Sequence, residues 1–172
     1  MKAVRQYLWF GALVFGLVFV GLGIFFVTQG FQARAQITTA LAAENVPVSA
    51  DAEKFGFGVP AGVPVTDAKT ALAQSKTIER HSTSIKGAIL VSGVDTTLRY
   101  ADMKKELFVS PDAYNTVRNT YITGLTLRTA LNMAVMGYGV ADMAIASGAA
   151  IIPLGLGHPG RSGASPVLGQ EG

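Results

Sequence analysis

Asp142 is the residue whose placement most needs a chemical reason. It is the single formal charge in the 27 residues from Ala130 to Leu156. An acid at the centre of a membrane helix costs about 2.5–3.5 kcal/mol on insertion scales, so such residues face protein, water or a counter-charge. Three roles fit: a proton site, an ion pair with a cation on a partner subunit, or a hydrogen-bonded packing element. The apolar runs of this chain hold no cation of their own. Tyr138, one turn earlier, can share a hydrogen bond with Asp142.

Other candidates are fewer. His81 follows Glu79 and Arg80 at the end of a helical pattern, where a cationic imidazole is favoured by the helix dipole and could sense pH. Arg128 reads as an interfacial anchor whose stem lies along apolar surface with its head in water. Serines, histidines and acids are not spaced as a nucleophile motif, and Gly21 and Gly23 lie in an apolar run rather than in a phosphate loop. With no cysteine, disulfides, Fe–S clusters and thiolate zinc sites are excluded. No catalytic, cofactor-binding or metal-binding set is expected. The formal charge of +3 comes from scattered residues without a Lys/Arg run, so a nucleic-acid partner is not indicated.

The elements that position these residues are two apolar segments. Leu8–Val27 is twenty residues with no charge or strongly polar side chain, enough to cross about 30 Å of hydrocarbon. Lys2 and Arg5 precede it and place the N-terminus in the cytoplasm by the positive-inside rule, and Trp9 suits an interfacial anchor. The run exceeds the 7–15 residues of a usual signal-peptide core, so a retained span is expected. The second span is expected at residues 127–156. Small residues recur along both: Ala12, Gly16 and Gly23 in the first, and Ala130, Ala134, Gly137, Ala141, Ala144 and Gly148 in the second. In lipid, helices associate where small residues permit close approach. This seam should therefore be a helix contact, so that Leu at Gly137 or Ala141 disrupts assembly while Leu at Met136 does not.

Residues 1–7 are then a cytoplasmic start, 28–126 an extracytoplasmic domain and 157–172 a cytoplasmic Gly/Pro/Ser-rich tail. Phe31–Glu44 should extend the first helix to about Asn45. FGFGVPAGVPV, with prolines at 60 and 64, reads as an extended connection. Thr66 reads as the N-cap of a short surface helix up to His81, with Asp67 favouring its dipole. Gly87–Gly93 is a strand or a buried turn, Thr96–Leu107 a possible short helix. Ser110-Pro111-Asp112 starts a helix that runs unbroken to Pro153. The expected class is mainly α: a two-span transmembrane hairpin with a mostly helical loop of roughly 100 residues.

Several stretches resemble a set of small bacterial two-span membrane proteins of unknown function: Ala71–Gln74 with His81, Tyr100-Ala101-Asp102, Thr123–Leu131 (TGLTLRTAL) and Gly137–Val140. Members are often labelled aromatic ring-opening dioxygenases. That label needs two histidines and a carboxylate around iron, whereas His81 and His158 fall on opposite sides of the expected membrane. Asp142 departs from the usual apolar pattern. The resemblance implies a two-pass inner-membrane protein, and the expected partners are the bilayer with other membrane subunits or further copies of the chain. The expected role is a non-enzymatic accessory or structural subunit; the alternative is a proton-transferring or pH-sensing protein using Asp142.

Overall fold

The computed structural model describes residues 2–84 and 89–157, with side chains from Trp9 onward. Four α-helices account for most of them: α1 (Lys2–Ala43), α2 (Asp51–Lys54), α3 (Ala68–Thr83) and α4 (Pro111–Gly155). Short 3-10 turns at Tyr100–Asp102 and Lys105–Leu107 stand where a helix over Thr96–Leu107 was possible. Among the described residues, two helices, α1 and α4, are long and apolar enough to cross a membrane. The chain divides into two compact units, a terminal one (Met1–Gln29 and Met143–Gly172) and a central one (Gly30–Asp142).

Helix ends follow local chemistry. α1 has no proline and stops where Asn45 takes φ 48°, a left-handed conformation that asparagine tolerates. α4 begins with Pro111 at its first position, and the Ser110 hydroxyl accepts the Ala113 N–H at 3.1 Å. Pro153 lies inside its last turns, and Gly157, at φ 66°, follows its end.

In the terminal unit, glycines set the packing. A Cβ added at Gly16 would stand 2.5 Å from the Gly155 carbonyl oxygen. One at Gly23 would stand 2.8 Å from the Gly148 oxygen and 2.5 Å from Ile152 Cγ1. The bulky side chains of α1 point elsewhere: Phe15, Leu17, Ile24 and Phe25 are all more than half exposed. At these glycines α1 and α4 of this chain face one another.

The central unit holds two apolar clusters. Val48, Ala52, Val59, Val65, Ala71, Ala73 and Leu131 form one, with Leu41, Ile78 and Val135 packed around it. The connection through FGFGVPAGVPV is folded back on itself, with Val48 N–H donating to Val63 O at 2.8 Å and Val65 N–H to Val46 O at 2.9 Å. Gly56, Gly58 and Gly62 take φ of 72°, 66° and 76°, which side-chain-bearing residues rarely adopt. The second cluster joins Leu90, Leu98, Met103, Phe108 and Tyr121. Leu90 pairs with Phe108 in an isolated bridge, so the second half of Gly87–Gly93 is a single bridge rather than a strand. Gly87 itself lies outside the described residues.

Two expectations need correction. α3 is not a surface helix, because Ala71, Ala73, Ser75 and Thr77 are buried. Its cap is Asp67, one residue later than expected: Asp67 is extended and accepts the Thr70 N–H at 2.7 Å, while its own N–H donates to Thr70 Oγ1 at 3.1 Å. This reciprocal capping box satisfies two otherwise free donors. The Thr70 N–H, offsetting partial burial, holds the Asp67 carboxyl below its usual value of 3.8. A depressed carboxyl stabilises the fold above its unfolded pKa and loses that contribution as pH falls through the folded value. Asp67→Ala should cost about 1 kcal/mol and Asp67→Asn much less. The loss in thermal midpoint should be full at neutral pH and shrink as pH drops below about 4. A midpoint equal to wild type at pH 7 would remove the cap's role.

The expected second span, residues 127–156, falls into both units. Leu131, Val135 and Tyr138 pack in the central unit against α1, α3 and the segment before α3, while Met143 onward belongs to the terminal unit. Hydropathy alone does not separate an apolar residue packed on another helix from one left exposed.

Candidate functional site

Asp142 is paired within its own chain. Arg34 Nη1 donates to Asp142 Oδ1 at 2.7 Å. Arg34 lies on the part of α1 beyond the apolar run, and antiparallel passage of α4 brings Asp142 beside it. Of the roles open to Asp142, the one formed is an ion pair, and its cation comes from this chain. The pair is half exposed, 47 % for Arg34 and 55 % for Asp142.

One turn away on both helices is a second rung. Thr38 Oγ1 and Tyr138 Oη are 2.7 Å apart, and Tyr138 Oη donates to the Thr66 carbonyl at 2.7 Å. A carbonyl can only accept and a tyrosine has one proton, so the Thr38 hydroxyl is the donor in the first bond. The Arg34 guanidinium sits 5.9 Å from the Tyr138 ring centroid, within cation–π range. Tyr138 is buried to 3 % exposure. It joins α1, α4 and the residue preceding the Asp67 cap, and it bonds to Thr38 and Thr66 rather than to Asp142 as the sequence suggested.

Arg128 is also engaged by protein. Its Nη1 lies 3.0 Å from Glu79 Oε1, and Arg99 approaches the same oxygen at 3.8 Å. With a side chain only 22 % exposed, it ties α4 to α3 instead of reaching freely into water. His81 Nε2 lies 2.9 Å from Asp51 Oδ2, and Lys54 donates to Asp51 Oδ1 at 3.0 Å. The Lys54 hydrogen bond, followed by its charge and then His81, lowers the Asp51 carboxyl below its usual value. A surface cleft of about 440 Å³ opens between His81, Ser82, Asn119 and Thr123. Among the described residues, no three His, Cys, Asp or Glu side chains are grouped to hold a metal.

The small residues divide cleanly. Gly16 and Gly23 meet Gly155 and Gly148, Gly137 meets Ile37 of α1, and Ala141 is 2 % exposed. Ala134 and Ala144 are half-buried beside them. Ala12 and Ala130 are exposed and off the contact, and Trp9 is 68 % exposed. Gly155 was missed, although it lies seven residues after Gly148, the same step that separates Gly16 from Gly23. Arg34, Thr38 and Thr66 were missed because no local pattern links them to residues about 100 and 72 positions away. His158 and the tail after Gly157 lie outside the described residues. Comparison with protein-family models, with curated proteins and with solved structures finds no match to this chain.

Proposed function

We propose that this is a non-enzymatic, two-pass protein of a bacterial inner membrane, with both termini cytoplasmic and the central unit outside. It serves as an accessory or structural subunit within a homo-oligomer or a larger membrane assembly. The observation that carries the reading is the Arg34–Asp142 pair. Arg34 stands seven residues beyond the charge-free run Leu8–Val27, about 10 Å along a helix. Asp142 immediately precedes Met143, from which α4 continues without a charge to Gly155. Arg34 is the first charge on α1 beyond the apolar run, and Asp142 is the single charge between Arg128 and the end of α4, so the pair neutralises the one charge in the second apolar stretch.

Engagement of Asp142 by a guanidinium favours a structural role over proton transfer, which needs an acid free to exchange its proton. Topology is tested with tags: one at Pro60 should be reached only from outside, one at Gly172 only from the cytoplasm. The reverse accessibility would overturn the orientation. In mild detergent the protein should migrate above monomer size, and a lone monomer would count against the subunit role.

The pair itself predicts a coupling. Arg34→Gln and Asp142→Asn should each destabilise the protein, and the double variant should recover part of the sum. Because both partners are half exposed, the coupling energy should be about 1 kcal/mol, the top of the range for exposed pairs. A double-mutant cycle on unfolding in detergent measures it. Strict additivity would show the pair contributes nothing.

A further inference from the structure

Between α3 and α4 the central unit has a cleft of about 440 Å³, a volume in the range of small-molecule sites. A recess of about 160 Å³ shares His81, Ser82 and Thr120 with it and reaches Val117 and Ile89. The floor depends on glycine at position 124: a Cβ there would collide with the Ser82 hydroxyl and stand 3.4 Å from Ile78 Cγ2. Among the described residues, His81 is the one ionisable group that lines the cleft. The charges around it are already answered: Glu79 by Arg128 at 3.0 Å, Asp51 by Lys54 at 3.0 Å, and Arg80 by the Phe55 ring, 4.6 Å from its centroid. A charged ligand would give up hydration here without meeting a free counter-charge, which is costly. A neutral one would not.

The lining groups also fix which hydrogen bonds a ligand must make. Thr120 Oγ1 donates its proton to the Thr116 carbonyl at 2.9 Å, so toward the cleft it can only accept. His81 Nε2 lies 2.9 Å from Asp51 Oδ2. That carboxylate holds the imidazole proton on Nε2, and the neutral ring keeps Nδ1 as an acceptor. Ser82, Asn119 and Thr123 can both donate and accept. A ligand that only donates leaves the Asn119 amide protons unmet, and one that only accepts confronts the lone pairs of Thr120 and Nδ1. Hydroxyl groups do both. We infer that this cleft binds an uncharged polyol, a sugar ring with a C–H face on Ile78 and its hydroxyls toward His81, Asn119 and Thr120. None of these residues takes part in the Arg34–Asp142 pair, so the cleft can bind a ligand whichever way the chain is inserted.

Saturation-transfer NMR on the full-length protein in nanodiscs provides the test, since sugar-based detergents would compete for the site. The probes are glucose, N-acetylglucosamine, maltose and N,N′-diacetylchitobiose, with glucuronate and glucosamine as charged counterparts. At least one neutral sugar should bind saturably, and more tightly than either charged one. Asn119→Ala and Thr120→Val should each weaken that binding about three- to tenfold, the worth of one hydrogen bond. Both positions are exposed on α4, so neither substitution should move the unfolding midpoint. Asn115→Ala, exposed on the same helix but outside the cleft, should bind as wild type does. Absence of saturable binding by every neutral sugar overturns the proposal. So does binding that Asn119→Ala and Thr120→Val both leave unchanged, or tighter binding of glucuronate or glucosamine, which would assign the cleft to an ion.

Discussion

Gly148→Leu should separate α1 from α4 in the terminal unit, whereas Gly21→Leu, on the same pair of helices, should be tolerated. A Cβ at Gly148 collides with the Gly23 carbonyl oxygen and stands 2.8 Å from Val27 Cγ2 and 2.9 Å from the Val27 nitrogen. Two of these three atoms belong to backbone, which cannot swing aside as a side-chain tip can. At Gly21 nothing lies within 4 Å. Overpacking in a well-filled contact costs about 1–3 kcal/mol and occasionally more. A leucine driven into backbone should reach at least the upper end of that range. SDS titration in mixed micelles, followed by a fluorophore pair on the two helices, would measure it. Equal midpoints for the two variants would show that the glycine contact does not hold the helices together.

Tyr138→Phe should destabilise the central unit by about 1–3 kcal/mol, the cost of leaving buried polar groups without partners. The substitution preserves the ring, its packing and its position under Arg34, and removes only the hydroxyl. The Thr66 carbonyl then loses the donor it has, and the Thr38 hydroxyl loses its acceptor. Thr38→Val in the same background should restore part of the loss, because it removes one of the two orphaned groups. Hydrogen exchange adds a local readout: amides in the first turn of α3, next to Thr66, should exchange faster in Tyr138→Phe. Unchanged stability and unchanged exchange would mean that water replaces the hydroxyl at no cost and that the bridge is incidental.

Much of the architecture was legible in the sequence for reasons that are local. The helix-forming run Phe31–Glu44 that stops near Asn45 and the Ser110-Pro111-Asp112 start of α4 are short-range signals, and each marks an observed helix boundary. Glycine seven residues after glycine was readable as a packing face, and Gly16, Gly23, Gly137 and Gly148 do lie in helix contacts. The one-residue error at the α3 cap arose because Thr66 and Asp67 are both good caps. Which one serves depends on whether Thr70 can return a hydrogen bond, and Asp67 is at the spacing that allows it.

The tertiary structure decided the partners. Sequence alone established that Asp142 needed compensation, from the cost of a carboxylate among apolar residues. It could not say that Arg34, 108 positions away, supplies it, because no local pattern fixes the register of two helices so far apart in sequence. Sequence also established that the face through Gly137 and Ala141 invites a helix. The structure fills that face with α1 of the same chain, leaving Met136, which sequence had set aside as neutral, among the most exposed side chains of α4. Periodicity shows which residues share a face; only the packed chain shows which faces have already found their neighbours, because burial depends on contacts between segments far apart in sequence.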